Sequence, residues 1–298
     1  MEHLLSIEKI DRKDMEAILT AAGPMKAARG RHDRQPLAGQ TWALIFSKSS
    51  TRTRVSFEVG IRELGGQPIF LNANDIQLGR GEPIKDTARV LGRMIHGAVI
   101  RTFAQNDVEE FAEYSAIPTI NALTDAEHPC QILTDIFTFQ EKRGPIAGKV
   151  VTFVGDGACN VPLSWIFAAA KLGFELRIAA PRAYQPAPEL VKRVGGKIIC
   201  TEDVQAAARG ADLLYTDVWV SMGMEAETEK RLKDLAGYQI NDALVKLAQP
   251  DVMVMHCLPA YRGKEIDAAT FESHAMTIFD QAENRLHTQK AILERLAS

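Results

Sequence analysis

Ser50-Thr51-Arg52-Thr53-Arg54 sets hydroxyl groups and two guanidinium groups in consecutive positions, a composition suited to holding an oxyanion. Upstream, Trp42-Ala43-Leu44-Ile45-Phe46 is a continuous apolar run of the kind that forms a buried strand. Downstream, Phe57, Ile61 and Leu64 recur at helical spacing with Val55 and Val59 beside them, so a helix is predicted to begin near Thr51. A helix start presents backbone N–H groups outside the helical ladder and the positive end of the macrodipole. Hydroxyls and arginines placed there make a phosphate site. The competing reading is a Ser/Thr cap followed by solvated arginines.

Other segments carry chemistry of a matching kind. His128-Pro129-x-Gln131 opens a predicted helix, where His128 either caps or donates to a carbonyl oxygen and Gln131 faces the same way one turn on. Arg101 ends the apolar stretch Ala98-Val99-Ile100, and a cation there needs an anion or a carboxylate partner. Asp217-x-x-x-Ser221-Met222-Gly223 offers an acceptor for a cationic amine, or is an ordinary acidic loop. In His256-Cys257-Leu258-Pro259 the cysteine is a nucleophile or a small hydrophobe, and Leu258-Pro259 is a candidate cis bond. Gly155-Asp156-Gly157-Ala158-Cys159-Asn160 departs from a dinucleotide fingerprint at its sixth position, and GPIAGK (144–149) is one residue short of a P-loop. Nucleotide binding is therefore not expected.

These segments need elements to position them. Strands are predicted at 41–46, 67–72, 97–102, 117–121, 149–154, 174–179, 196–200, 212–216, 252–256 and 276–279, four before residue 145 and six after it. Helices are predicted between them near 53–64, 84–95, 107–115, 129–141, 161–172, 186–194, 202–208, 228–235, 240–249 and 267–272, with a last one over 282–297. Repeated βα units predict α/β architecture: two doubly wound parallel-sheet domains, with the active site in the cleft between them. The junction is placed at Glu141-Lys142-Arg143-Gly144-Pro145, giving domains over 1–144 (joined by the C-terminal helix, 284–298) and 145–283. Every chemical segment follows a predicted strand, where ligands of open parallel sheets bind.

With 298 residues the chain suits two cores, and a net charge of −3 provides no general attraction to nucleic acid or acidic lipid. The longest uncharged stretch, 157–170, is too short to span a bilayer, and no signal or transit peptide is evident. Cys130, Cys159, Cys200 and Cys257 are scattered, which argues against a disulfide framework or zinc site and for a reducing cytoplasm.

Taken in order, FSKSSTRTRVSFE (46–58), AVIRTF (98–103), HPCQ (128–131), TDVWVSMG (216–223), HCLPAYRG (256–263) and AENR (282–285) resemble the transcarbamylase family, on its ornithine-using branch. The resemblance implies that carbamoyl phosphate and L-ornithine give L-citrulline and phosphate, as in arginine biosynthesis. It implies that the first domain binds carbamoyl phosphate through Ser50, Thr51, Arg52, Thr53, Arg101, His128, Gln131 and Arg285, with Cys257 and Leu258 completing that pocket. Ornithine would meet Asp217, Ser221, Met222 and Asn160, with Leu123 lining the site. Arg101, His128, Asp217 and Cys257 would be the catalytic groups. Gln77 resembles the residue that the family supplies from a neighbouring subunit, which implies a homotrimer. No metal or organic cofactor is implied. One departure concerns the family's Gly-Asp-Gly-Asn-Asn: here one residue is inserted and Cys159 replaces the first Asn, so Asn160 is aligned with the ornithine-contacting one. Putrescine and N-acylornithine are the alternative acceptors, and aspartate is disfavoured by the Cys-Leu-Pro and Ser-Met-Gly segments. A nicotinamide-dependent dehydrogenase built on 149–172 and a non-catalytic binding protein are the readings of other classes.

Overall fold

The continuous apolar runs of the sequence become parallel strands. The computed structural model describes every residue except 74, 75, 78–80, 222 and 298. In the first of two units, β1 (Thr41–Phe46), β2 (Gln67–Asn72), β3 (Gly97–Arg101) and β4 (Thr119–Leu123) form a sheet in the order β2-β1-β3-β4. In the second, β5 (Val150–Val154), β6 (Glu175–Ala179), β7 (Ile198–Thr201), β8 (Leu213–Thr216) and β9 (Met253–His256) run in the order β7-β6-β5-β8-β9. All these pairings are parallel. β1, β3, β5 and β8 are buried along nearly their whole length, as are the edge strands β4 and β9, whereas β2, β6 and β7 are only partly so. Two parallel-sheet α/β units are thus observed, the first with its four strands where the sequence predicts them.

Each strand order contains a reversal. The chain leaves β1 for β2 on one side and then returns to place β3 on the other; β5 is flanked in the same way by β6 and β8. Crevices for ligands form at such switch points, outside the carboxyl ends of the strands. Ser50 to Thr53 follow β1 and Arg101 ends β3, while the 155–160 loop follows β5 and Asp217 follows β8. Both groups of chemical residues therefore stand at the switch points of their own sheets.

Three expectations need correction. Residues 276–279 are not a strand but the first turn of a helix, Ala275–Ala297. The run Met276-Thr277-Ile278-Phe279 looks strand-like, yet only Ile278 enters the second unit's core, while Met276 is 76% and Phe279 53% exposed. A helix over Arg12–Ala27 went unpredicted, although Met15, Ile18, Leu19, Ala22 and Met25 form a helical stripe, all of them buried. The charged junction is also helical. The helix Pro129–Arg143 runs unbroken to Gly144, whose φ of 76° ends it. The two compact units are Met1–Phe137 with Glu283–Ser298, and Thr138–Ala282. Lys142 and Arg143 pair with Asp280 and Asp251, so charges that read as a solvated linker fasten the second unit instead.

The C-terminal helix is integral to the first unit. Lys290, fully buried, donates to Met25 O at 3.1 Å, to His32 Nε2 at 2.8 Å and to Glu63 Oε2 at 2.6 Å. Gly60 lets this helix approach Thr51–Glu63, because a Cβ there would stand 3.2 Å from the Lys290 side chain. Among the described residues no helix is long and apolar enough to cross a membrane.

Candidate active site

In the first unit the helix Thr51–Glu63 starts on Ser50, whose extended backbone (φ −163°, ψ 109°) lets its Oγ accept from Thr53 N at 3.3 Å. The helix has no acidic residue in its first turn, although the macrodipole favours one; it has Arg52 and Arg54. The two arginines differ. Arg54 donates to Glu58 at 2.7 Å and lies over the Phe70 ring at 3.7 Å. Arg52 Nε is buried and meets no acceptor among the described residues. A cavity of about 550 Å³ opens on this helix start, lined by Ser47 to Thr51 together with Arg54 and Phe70.

Thr53 is fully buried, and its Oγ1 accepts from Arg285 Nη2 at 2.6 Å, which leaves the hydroxyl hydrogen for another acceptor. Arg101 is buried at the end of β3, beside a register shift between Ile100 and Arg101. His128, buried before the helix Pro129–Arg143, has a pKa held well below the ordinary histidine value, first by burial and then by the charges of Arg285 and Arg101. It is therefore a neutral imidazole at neutral pH and can donate without carrying charge. Gln131, also buried, donates from Nε2 to Asp135 Oδ1 at 2.8 Å. These groups share one unit, and within it Thr53, Arg285, His128 and Arg101 form a cationic cluster, linked by the Arg285–Thr53 hydrogen bond and by the charges that act on His128. Leu123 ends β4 in the same unit, opposite Arg101, and Gln77 is exposed with its carbonyl accepting from Glu82 N at 3.1 Å.

Lys48 lies within the segment 46–58, yet the sequence alone gives it no role. It is buried, ion-pairs with Asp125 and sits 4.2 Å from the centre of the Phe103 ring. It thus ties together the segments that follow β1, β3 and β4, each of which carries a candidate donor group.

The second unit holds a different set. Gly157 must be glycine, since a Cβ would stand 2.5 Å from Ile178 Cγ2 and 3.1 Å from Tyr184 O. Asp156 accepts from Ala158 N at 3.0 Å and from Arg231 Nη1 at 2.7 Å. Arg231 also donates to Trp219 O at 3.1 Å, so it holds the 155–160 turn and the loop after Asp217 to each other. Cys159 precedes the helix Asn160–Leu172 and caps nothing with its side chain; burial, with Asp156 and Asp217 adding to it, pushes its thiol well above the ordinary range. It is an inert group here. Asn160 is the first residue of that helix, and Ser221, half-buried, accepts from Met224 N at 3.0 Å. Met222 lies outside the described residues.

Asp217 accepts from Val218 N at 2.7 Å and from the Cys257 thiol at 2.9 Å. Burial raises its carboxyl pKa above the ordinary value; the Cys257 and Val218 hydrogen bonds oppose that rise and Glu265 adds to it. His256 Nδ1 accepts from Leu258 N at 2.8 Å, so the ring proton is on Nε2, which faces buried Glu265 Oε1 at 3.2 Å. Leu258 has φ 60° and joins Pro259 through a cis bond. Asp217, His256 and Cys257 offer ligand atoms within 4.8 Å of one another, a metal-like grouping. Both imidazole nitrogens are already engaged, however, and the thiol keeps its hydrogen in the bond to Asp217. The trio is a hydrogen-bonded set that positions acceptors and donors.

Residues 2–141 match the family model described as aspartate/ornithine carbamoyltransferase, carbamoyl-P binding domain, and residues 147–296 match its Asp/Orn binding domain. This chain belongs to the aspartate/ornithine carbamoyltransferase family. An ornithine carbamoyltransferase of Akkermansia muciniphila is 56% identical over 300 residues, covering 100% of this chain and 98% of that protein. The solved ornithine carbamoyltransferase of Pyrococcus furiosus is 44% identical with a TM-score of 0.91, covering 98% of this chain and 96% of its own. An anabolic ornithine carbamoyltransferase structure from Campylobacter jejuni is 40% identical with a TM-score of 0.93 and covers 99% of both chains. The carbamoyltransferase family thus accounts for both units; Arg52, Thr53, Arg101, His128 and Gln131 fall in the part matched to the carbamoyl-P binding domain, and Arg285 in the part matched to the Asp/Orn binding domain.

Proposed function

We propose that this carbamoyltransferase moves the carbamoyl group of carbamoyl phosphate to the δ-amine of L-ornithine, giving L-citrulline and phosphate. The single observation that supports it most is the division of labour between the units. The first collects cations and hydroxyl donors around a helix start; the second collects a carboxylate, a thiol and small polar residues around Asp217. A phosphorylated carbonyl donor suits the former, and an amine bearing its own amino and carboxylate groups suits the latter.

Ser50, Thr51, Arg52 and Thr53 hold the phosphate, Arg101 spans phosphate and carbonyl oxygen, and His128 and Gln131 hold the carbamoyl end. Cys257, Leu258 and Arg285 complete that pocket. Asp217, Ser221, Met222 and Asn160 receive the α-amino and α-carboxylate groups of ornithine, with Leu123 as an apolar wall. The neutral δ-amine attacks the carbonyl carbon, and the oxyanion that develops is stabilised by Thr53, Arg101 and His128. The C–O bond then breaks, and the phosphate takes up the proton that the attacking nitrogen loses and leaves into a site already compensated for its charge. Cys257 orients Asp217 and forms no bond to carbon. We extend the proposal to a homotrimer in which Gln77 serves a neighbouring subunit's site, and to a cytoplasmic setting. None of the four cysteines is joined in a disulfide, which fits a reducing compartment.

With carbamoyl phosphate fixed, a panel of ornithine, N-acetylornithine, putrescine, lysine and aspartate should yield product efficiently with ornithine alone. Faster turnover of any other amine would overturn the acceptor assignment while leaving carbamoyl transfer in place.

The rate should also report the amine's protonation. Ornithine's δ-amine resembles that of lysine, with an unperturbed pKa of about 10.4, and only its neutral form attacks. Burial and the charges of Arg285 and Arg101 hold His128 well below the ordinary histidine value, so the rise is assigned to the amine. kcat/KM for ornithine is expected to climb from pH 6 to pH 9, approaching about tenfold per unit at the acid end. A flat profile would be inconsistent with rate-controlling amine deprotonation.

A further inference from the structure

Asp135 stands one turn beyond Gln131 on the helix Pro129–Arg143, and both side chains are sealed from solvent. Gln131 Nε2 donates to Asp135 Oδ1 at 2.8 Å, so the NH2 end of the amide is turned towards the carboxyl group. Gln131 Oε1, at the other end, is buried and receives no hydrogen bond among the described residues. A buried amide oxygen left in that state is costly, and such an atom in a binding pocket is suited to a ligand's N–H.

We propose that Asp135 is the positioning residue that makes the donor pocket select a carbamoyl group over an acetyl group. By taking the Gln131 NH2, it keeps Oε1 as the atom offered to the donor. A carbamoyl group presents N–H donors where an acetyl group of nearly the same shape presents C–H. Were the amide reversed, its NH2 would oppose the substrate's NH2 and the advantage would be lost. The carboxylate also polarises the amide, which strengthens Oε1 as an acceptor. Sites built to accept from a substrate N–H discriminate far better than shape alone allows. The inference rests on the reading that Gln131 holds the carbamoyl end. The rival is that Asp135 merely fastens one helical turn, in which case its loss alters stability and leaves selectivity alone.

The test compares the native protein with Asp135→Asn and Gln131→Met in citrulline formation. Affinity for carbamoyl phosphate is measured beside inhibition by acetyl phosphate and by inorganic phosphate. Asp135→Asn should shrink the preference for carbamoyl over acetyl phosphate on the order of tenfold, as expected for loss of a charge-assisted hydrogen bond. Inhibition by inorganic phosphate, which has no N–H, should stay near native and also reports an intact pocket. If Asp135→Asn lacks phosphate inhibition because it fails to fold, Asp135→Ser is read by the same criteria. A native preference in the Asp135 variant, with the preference lost in Gln131→Met, would overturn the proposal and leave the Gln131 reading standing. A native preference in both variants would overturn the two together.

Discussion

Replacing Arg52 by alanine is expected to lower kcat/KM for carbamoyl phosphate by at least about a hundredfold, the size of a lost charge clamp on a leaving phosphate. The melting temperature should not fall with it. Arg52 lies in the first turn of a helix, where a positive charge opposes the macrodipole, and its Nε meets no acceptor among the described residues. By local rules of helix stability it is in the wrong place, and an anion is what would justify it. Arg54 is the internal control. It is occupied by Glu58 and by the face of Phe70, so Arg54→Ala should cost much less activity and some stability. Steady-state kinetics and thermal unfolding on both variants test the contrast. Equal losses from the two arginines would remove the case for a cradle centred on Arg52.

That pairing also shows where sequence reasoning succeeds. The buried strands were legible because parallel sheets covered on both faces require apolar runs, and Trp42–Phe46 or Met253–His256 can be little else. The chemical residues were legible because they follow those strands directly. The misreading of 276–279 has the opposite cause: four residues of mixed β-branched and aromatic character carry no period, and burial of Ile278 alone decides between strand and helix. The groups that hold the site in place were mostly invisible. Lys48 meets Asp125 across 77 positions and Arg231 meets Asp156 across 75, separations that no local pattern reports. Gln131 and Asp135 are four apart on a helix, so that pair was open to a reading by helical spacing. Glu265 gives no local sign of its role, because its use depends on which imidazole nitrogen of His256 is protonated.

Asp217→Asn should separate function from stability in the reverse sense. Its side chain is half-buried, and its pKa is raised above the usual value of 3.8 chiefly by desolvation. A raised folded-state pKa means that ionisation is disfavoured in the folded chain relative to the unfolded one. The ionised carboxylate therefore costs stability above the raised value, and the cost vanishes below the unfolded value, where both states hold the proton. Asparagine carries no charge, keeps the shape and can still accept from Val218 N and from Cys257. The variant should thus unfold at the same or a higher temperature than the native protein at pH 7, with the gap closing as the pH falls towards 3.8. Its kcat/KM for ornithine should nevertheless drop, on the order of a hundredfold, because a neutral amide no longer attracts the cationic α-amine. Phosphate binding should be spared, since Ser50 to Thr53 and Arg101 belong to the other unit. A variant that lost stability along with activity would mean that Asp217 serves mainly to hold Cys257 and Val218. A variant that kept ornithine turnover would remove Asp217 from the acceptor site altogether. Retained stability with lost turnover is the pattern of a carboxylate kept in a costly place for its ligand.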